Sequence, residues 1–149
     1  MAYASDAPPT VLHHDMRRAV WIDALARDVE TCDRSDWESG TIQVIEHHRQ
    51  QLLAAHGRIA EHVDADFPPW SYLLVLTAPV GSTLYLRGHE PLVLVPGMLV
   101  EFNSHVRHRL VQKPREDTIW CPLDPPERIE LDAAYAEMEA RYGGPGLRE

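Results

Sequence analysis

Residues 62–64 read His62-Val63-Asp64, and a further histidine, His108, follows 44 positions after Asp64. On an extended strand, residues i and i+2 point to the same face, so the His62 imidazole and the Asp64 carboxylate can converge on one point. An imidazole from a neighbouring strand would complete a set of two nitrogens and one carboxylate on one side of a metal ion. That set suits non-haem Fe(II) and leaves the remaining coordination positions open for reactants and O2. The chemistry it predicts is oxygenation.

The His-x-Asp spacing alone is weak evidence. Nine His and eleven Asp in 149 residues give about 0.7 such pairs by chance (9 × 11/149). A second pair is present at His13 and Asp15. It follows Pro8-Pro9-Thr10, where the pattern predicts the start of a helix, so Asp15 reads there as a cap or a complement to the helix dipole. Context has to separate the two pairs.

The chain is 149 residues long and 44% apolar, which fits one domain with its own core. No run approaches the roughly 18–20 apolar residues of a membrane span, and the N-terminus lacks a basic stretch followed by an apolar one. A cytoplasmic protein without a membrane partner is the expectation. Cys32 and Cys121 lack both the paired spacing of a zinc site and the density of a disulfide scaffold, so both read as free thiols. A formal net charge of −9 argues against a nucleic-acid partner, and only Arg107, Arg109, Lys113 and Arg115 form a local basic cluster.

The elements that must position the triad follow from periodicity. Between Thr10 and Cys32, apolar residues recur at three- and four-residue intervals and predict an amphipathic helix. Ile42, Val44 and Ile45 suit a short strand, and His48 to His56 reads as a helix after it. From Arg58 the pattern changes to short apolar segments near 59–64, 71–77, 82–87, 91–95, 98–103, 106–112 and 117–121. Pro and Gly punctuate them as turn formers. Seven short strands so spaced predict a mainly β sandwich or barrel of jelly-roll type. The division is then a mainly helical N-terminal flank over 1–57, a jelly-roll core over 58–121 and a tail over 122–149. Leu131, Ala134, Tyr135, Met138 and Tyr142 give that tail a C-terminal helix.

From Ile42 to Trp120 the chain resembles the Fe(II)/2-oxoglutarate-dependent dioxygenases, in particular their compact prolyl-hydroxylase-like group. The blocks that carry the resemblance are 57–64, ending in His62-Val-Asp64, then 72–77 with 81–86, then 95–111, and finally 115–120. The third, with the Pro96-Gly97 turn after Val95, an apolar strand ending in Phe102, and His108 followed by the basic Arg109, is the most specific. The resemblance implies a double-stranded β-helix in which His62, Asp64 and His108 hold Fe(II). It implies further that 2-oxoglutarate chelates the ion, that Arg115 pairs with its far carboxylate, and that Tyr72 contacts it. The activity implied is hydroxylation of a peptide or small-molecule substrate with release of succinate and CO2. Arg suits such an anchor because its planar fork binds a carboxylate through two hydrogen bonds and keeps its charge. Arg109, next to a ligand on a strand, should point to the opposite face.

His105 competes with His108, but residues three apart on a strand face opposite sides, and the six-residue interval from Phe102 matches the family pattern for His108. His47, His48 and His56 read as surface or packing residues. Trp70 and the turns at 79–90 and 103–106 are expected to rim the pocket. Two rival readings remain. One is a cupin-type metal-binding jelly roll that does not use 2-oxoglutarate, although the His-x-His pair with a following Glu is absent. The other is a non-catalytic binding module in which the triad is coincidental.

Overall fold

The computed structural model describes residues 8–15, 20–47 and 50–123. The elements run β1 (Thr10–His13), α1 (Val20–Glu30), β2 (Thr41–His47), β3 (Gln50–His56), β4 (Ile59–His62) and β5 (Trp70–Thr77). They continue with β6 (Thr83–Leu86), β7 (Leu92–Val93), β8 (Leu99–Asn103), β9 (His108–Val111) and β10 (Asp117–Leu123). All strand pairs are antiparallel. One sheet has the order β1-β8-β5-β10-β3-β2 and the other β4-β9-β6-β7. From β3 onward the chain crosses from sheet to sheet, with only β6 and β7 consecutive in one. This winding is a jelly roll.

Alternation along the strands sorts side chains into two cores. Leu52, Ala54, Leu74, Leu76 and Ile119 lie on the outer face of the six-stranded sheet, where Leu25, Ala26 and Val29 of α1 cover them. Their neighbours in sequence, Ala55, Val75, Val100 and Phe102, turn inward to meet Ile59, Leu84, Leu86 and Leu110. The continuous run Leu73-Leu74-Val75-Leu76 is thus apolar throughout because both faces of β5 are covered. Helix α1 ends where Thr31 and Cys32 fold back onto the carbonyls of Asp28 and Val29, and Arg34 donates to the latter from its side chain. No helix among the described residues is long and apolar enough to cross a membrane.

The N-terminal flank departs from expectation. The helix expected from Thr10 is confined to Val20–Glu30, and Thr10–His13 instead forms β1 on the edge of the large sheet, paired with β8. The helix expected over His48–His56 is strand β3, flanked by β2 and β10. Its Leu and Ala residues favour helix locally, but propensity differences rarely exceed about 0.7 kcal/mol per residue. Full burial of Leu52 alone contributes about 1.5–3 kcal/mol. Pairing and burial therefore override the local preference. The helix expected around Leu131–Tyr142 lies outside the described residues.

The end of the barrel away from His62 is fixed by polar contacts. Ser82 donates to Thr118, and Thr118 to Gln112 Oε1, each at 2.7 Å, while Gln112 Nε2 donates to the carbonyls of Ala55 and Gly57. Each group of this buried network has a partner, which makes it a rigid closure between the sheets. Beside it, His56 Nδ1 donates to Asp117 at 2.5 Å, and Arg34 forms an ion pair with the same carboxylate, tying the α1–β2 loop to β3 and β10.

Gly57 turns the chain from β3 to β4 with φ of 72°. A Cβ there would lie 2.8 Å from the Pro114 carbonyl oxygen. Gly57→Ala combines left-handed strain with this overlap, so a loss of about 1–3 kcal/mol is expected. A lower urea midpoint at unchanged denaturant dependence would show it; an unchanged midpoint would contradict the assignment.

Candidate metal centre

Antiparallel pairing of β4 with β9 sets His62 directly opposite His108. The register shifts between Ile59 and His62, so a bulge re-aims the end of β4. Past the strand, the Asp64 amide donates to the Ser104 carbonyl at 3.0 Å, which holds the third residue against the β8–β9 turn. Two imidazoles and a carboxylate thereby meet on the inner side of the four-stranded sheet.

Asp64 Oδ2 lies 3.2 Å from His108 Nε2, and Oδ1 lies 3.6 Å from His62 Nε2. One ligand atom from each residue falls within 4.8 Å of the others. The imidazole centroids are 4.3 Å apart, and Phe102 packs edge-on to His108 with centroids 5.1 Å apart. His108 is buried, while His62 and Asp64 are each about one-third exposed, at 34% and 35%. The centre therefore has a dry side and an accessible one.

Hydrogen bonding decides what these atoms can do. His62 Nδ1 lies 2.7 Å from the Ala60 carbonyl, and His108 Nδ1 lies 2.7 Å from that of Val106. A carbonyl only accepts, so each Nδ1 must carry a proton. In the neutral rings both Nε2 atoms are then bare lone pairs, aimed at a carboxylate that also only accepts. Such a cluster has no donor of its own and favours a cation at its centre, a shared proton or a metal ion. The fixed ring orientation, with Nδ1 held by a carbonyl, is how metal-binding histidines are commonly set.

His105 is directed elsewhere, its Nε2 donating to the Phe67 carbonyl at 2.7 Å. It is His108 that faces His62. Arg115 is exposed in the turn joining β9 to β10, and it is not among the residues lining the cavity beside the triad. That turn closes the opposite end of the strand from His108, so the guanidinium faces solvent. Tyr72 borders the cavity but packs in the α1 cluster with Leu74, opposite the inward-facing Leu73. Arg109 follows the alternation, its guanidinium 4.3 Å over the Tyr85 ring.

The triad opens into a cavity of about 680 Å³ between the sheets. Its far wall comes from the six-stranded sheet: Ile42 and Val44 of β2, Leu53 of β3, Leu73 of β5 and Trp120 of β10. Phe67 and Pro68 of the β4–β5 loop and Trp70 at the start of β5 form part of the lining. Trp70 is in the lining as expected, whereas of residues 79–90 Leu84 alone takes part and of 103–106 none does. The contribution of β2 and β3 was missed because β3 read as a helix. The signal available was the alternation of Ile42 and Val44, which leaves two large apolar side chains 43% and 56% exposed.

No protein-family model matches the chain, and no curated protein does. Among solved structures it is similar to protein NMB1881 from Neisseria meningitidis, with 13% identity and a TM-score of 0.45, covering 67% of this chain and 96% of that one. It is also similar to a cupin-2 domain containing protein from Shewanella frigidimarina, with 16% identity and a TM-score of 0.39, covering 62% and 94%.

The hydrogen bond with His108 holds the Asp64 carboxyl below the usual carboxylate range; partial burial opposes this, and the charges of His108, His62 and His105 reinforce it. A depressed pKa contributes stability above the unfolded value, near 3.9, and loses it as pH falls through the folded value. Asp64→Asn is expected to flatten the acid side of the stability profile. Urea midpoints between about pH 5 and about pH 2 test this, and parallel profiles for both proteins would refute it.

Proposed function

We propose that this protein binds one divalent transition-metal ion through His62 Nε2, His108 Nε2 and the Asp64 carboxylate, and acts through it on a small organic molecule held in the adjoining cavity. The observation that carries the reading is the pair of Nδ1–carbonyl hydrogen bonds, which leave both Nε2 atoms free to coordinate beside an ionised carboxylate. Nitrogen with oxygen donors in a three-point set fits Fe(II) and its first-row neighbours better than Ca2+ or Mg2+. When bound, such an ion supplies Lewis acidity and open positions for a substrate oxygen or for O2.

The chain's own residues do the rest. His62 and His108 keep their ring planes through their Nδ1 protons, Asp64 supplies the one negative charge, and Phe102 shields the His108 side from water. The apolar wall excludes water from the reacting face. Of the readings open at the sequence level, a cupin-type metal-binding jelly roll without 2-oxoglutarate fits best. A peptide end or a small molecule remains the substrate class. The two free thiols, Cys32 and Cys121, support a reducing, cytoplasmic setting.

A second reading, the Fe(II)/2-oxoglutarate oxygenase, is favoured by the donor types and their His-x-Asp…His order. It lacks an anchor: the described cavity lining offers no cation for the far carboxylate apart from Arg109, which is engaged on Tyr85.

Equilibrium dialysis against Fe(II), Co(II) or Zn(II) is expected to give one ion per chain. Asp64→Ala and His108→Ala should each weaken binding by more than the roughly 10–100-fold that loss of an outer hydrogen-bond partner costs. Retained stoichiometric affinity in both folded variants would remove the proposal. Anaerobic Fe(II) protein is expected to give no metal-to-ligand charge-transfer band with 2-oxoglutarate. A band followed by succinate on adding O2 would restore the second reading.

A further inference from the structure

We infer that the cavity selects a hydrophobic monoanion: a molecule with one carboxylate-like head for the metal and an uncharged aryl or branched-alkyl body. This rests on the metal reading above and specifies its substrate class. Two independent features support it, the charge count at the centre and the composition of the facing wall.

A divalent ion with Asp64 and two neutral imidazoles carries a net charge of about +1 (2 − 1). One anionic head neutralises it, and a second anionic group would need its own partner. The lining provides none. Asp64 is its one acidic residue, and Arg109 its one Arg or Lys. Arg109 alternates with the inward-facing His108 and Leu110, and its guanidinium lies over Tyr85, itself between the inward-facing Leu84 and Leu86. Its charge therefore sits on the outer face of the four-stranded sheet. A buried carboxylate left beside Leu53 and Trp120 would lose its hydration with no positive charge to offset the loss.

The wall argues for the body of the ligand. Ile42, Val44 and Phe67 border the cavity while 43%, 56% and 66% exposed, so apolar surface is left toward solvent at the place where a ligand would cover it. A space of about 680 Å³ accommodates a ring system with its substituents. The charged groups of the cluster lie on the metal side, and the largely apolar surface that recognises the body lies across from it, with Gln51 and Ser71 as its polar members.

The test uses the full chain loaded with Co(II), whose visible spectrum reports loading and inner-sphere anion binding separately. The probes are 3-phenylpropanoate and glutarate, of similar length but with one and two carboxylates. Wild-type protein is expected to bind 3-phenylpropanoate at least tenfold more tightly. Val44→Arg, at a half-exposed wall position, is expected to reverse the order by giving glutarate a counter-charge; if that variant does not fold, Ile42→Arg serves in its place. Equal or tighter binding of glutarate by wild type, binding of neither probe by loaded protein, or an unchanged ratio in the folded Arg variant would each overturn the inference. Failure to take up Co(II) appears as a missing spectrum before any probe is added. That result would remove the metal reading itself, and this inference with it.

Discussion

Two imidazole Nε2 atoms and a carboxylate face one another, and the rest of the site depends on what charge lies between them. Each imidazole turns Nδ1 to a carbonyl two residues earlier in the chain and leaves Nε2 toward Asp64. The arrangement is repulsive unless a positive charge lies at its centre. It persists because the pairing of β4 with β9 fixes the two backbones, and the Asp64–Ser104 hydrogen bond fixes the third. The jelly roll thus acts as a frame that holds like groups together.

The two sheets divide the work. The four-stranded sheet carries the ligands, and Phe102 from the six-stranded sheet packs against one of them. The six-stranded sheet carries α1 on its outer face and the apolar wall of the cavity on its inner one. At the far end, the Ser82–Thr118–Gln112 network and the His56–Asp117–Arg34 cluster close the barrel. One end is rigid and the other open, which is the asymmetry a binding cavity needs.

Much of this was legible in the sequence between Arg58 and Trp120. Pro and Gly at the turns bound strands β4 to β10 within a residue or two; the period of two separated His105 from His108, and the interval from Phe102 in the family pattern pointed to His108, which lies opposite His62. Elsewhere the information was not local. Strand β1 exists because β8, some ninety residues later, offers it an edge. Strand β3 contains Leu-Leu-Ala-Ala, which carries no alternation because both of its faces are buried, so its pattern matches a helix equally well. For Arg115, spacing from His108 locates the residue along the chain but does not tell an inward-facing strand position from the exposed turn it occupies. Tyr72 borders the cavity and also packs in the α1-side cluster, a double placement that alternation on β5 does not reveal.

Because the His62–Asp64–His108 cluster and the apolar wall belong to different sides of the cavity, the two can drift independently. Replacing Ile42, Val44 or Leu53 alters what fits against β2 and β3 and leaves the pairing of His62 with His108 untouched. A lineage carrying this scaffold could therefore reshape the wall of its cavity through a few surface-accessible changes while the His62–Asp64–His108 cluster stayed the same.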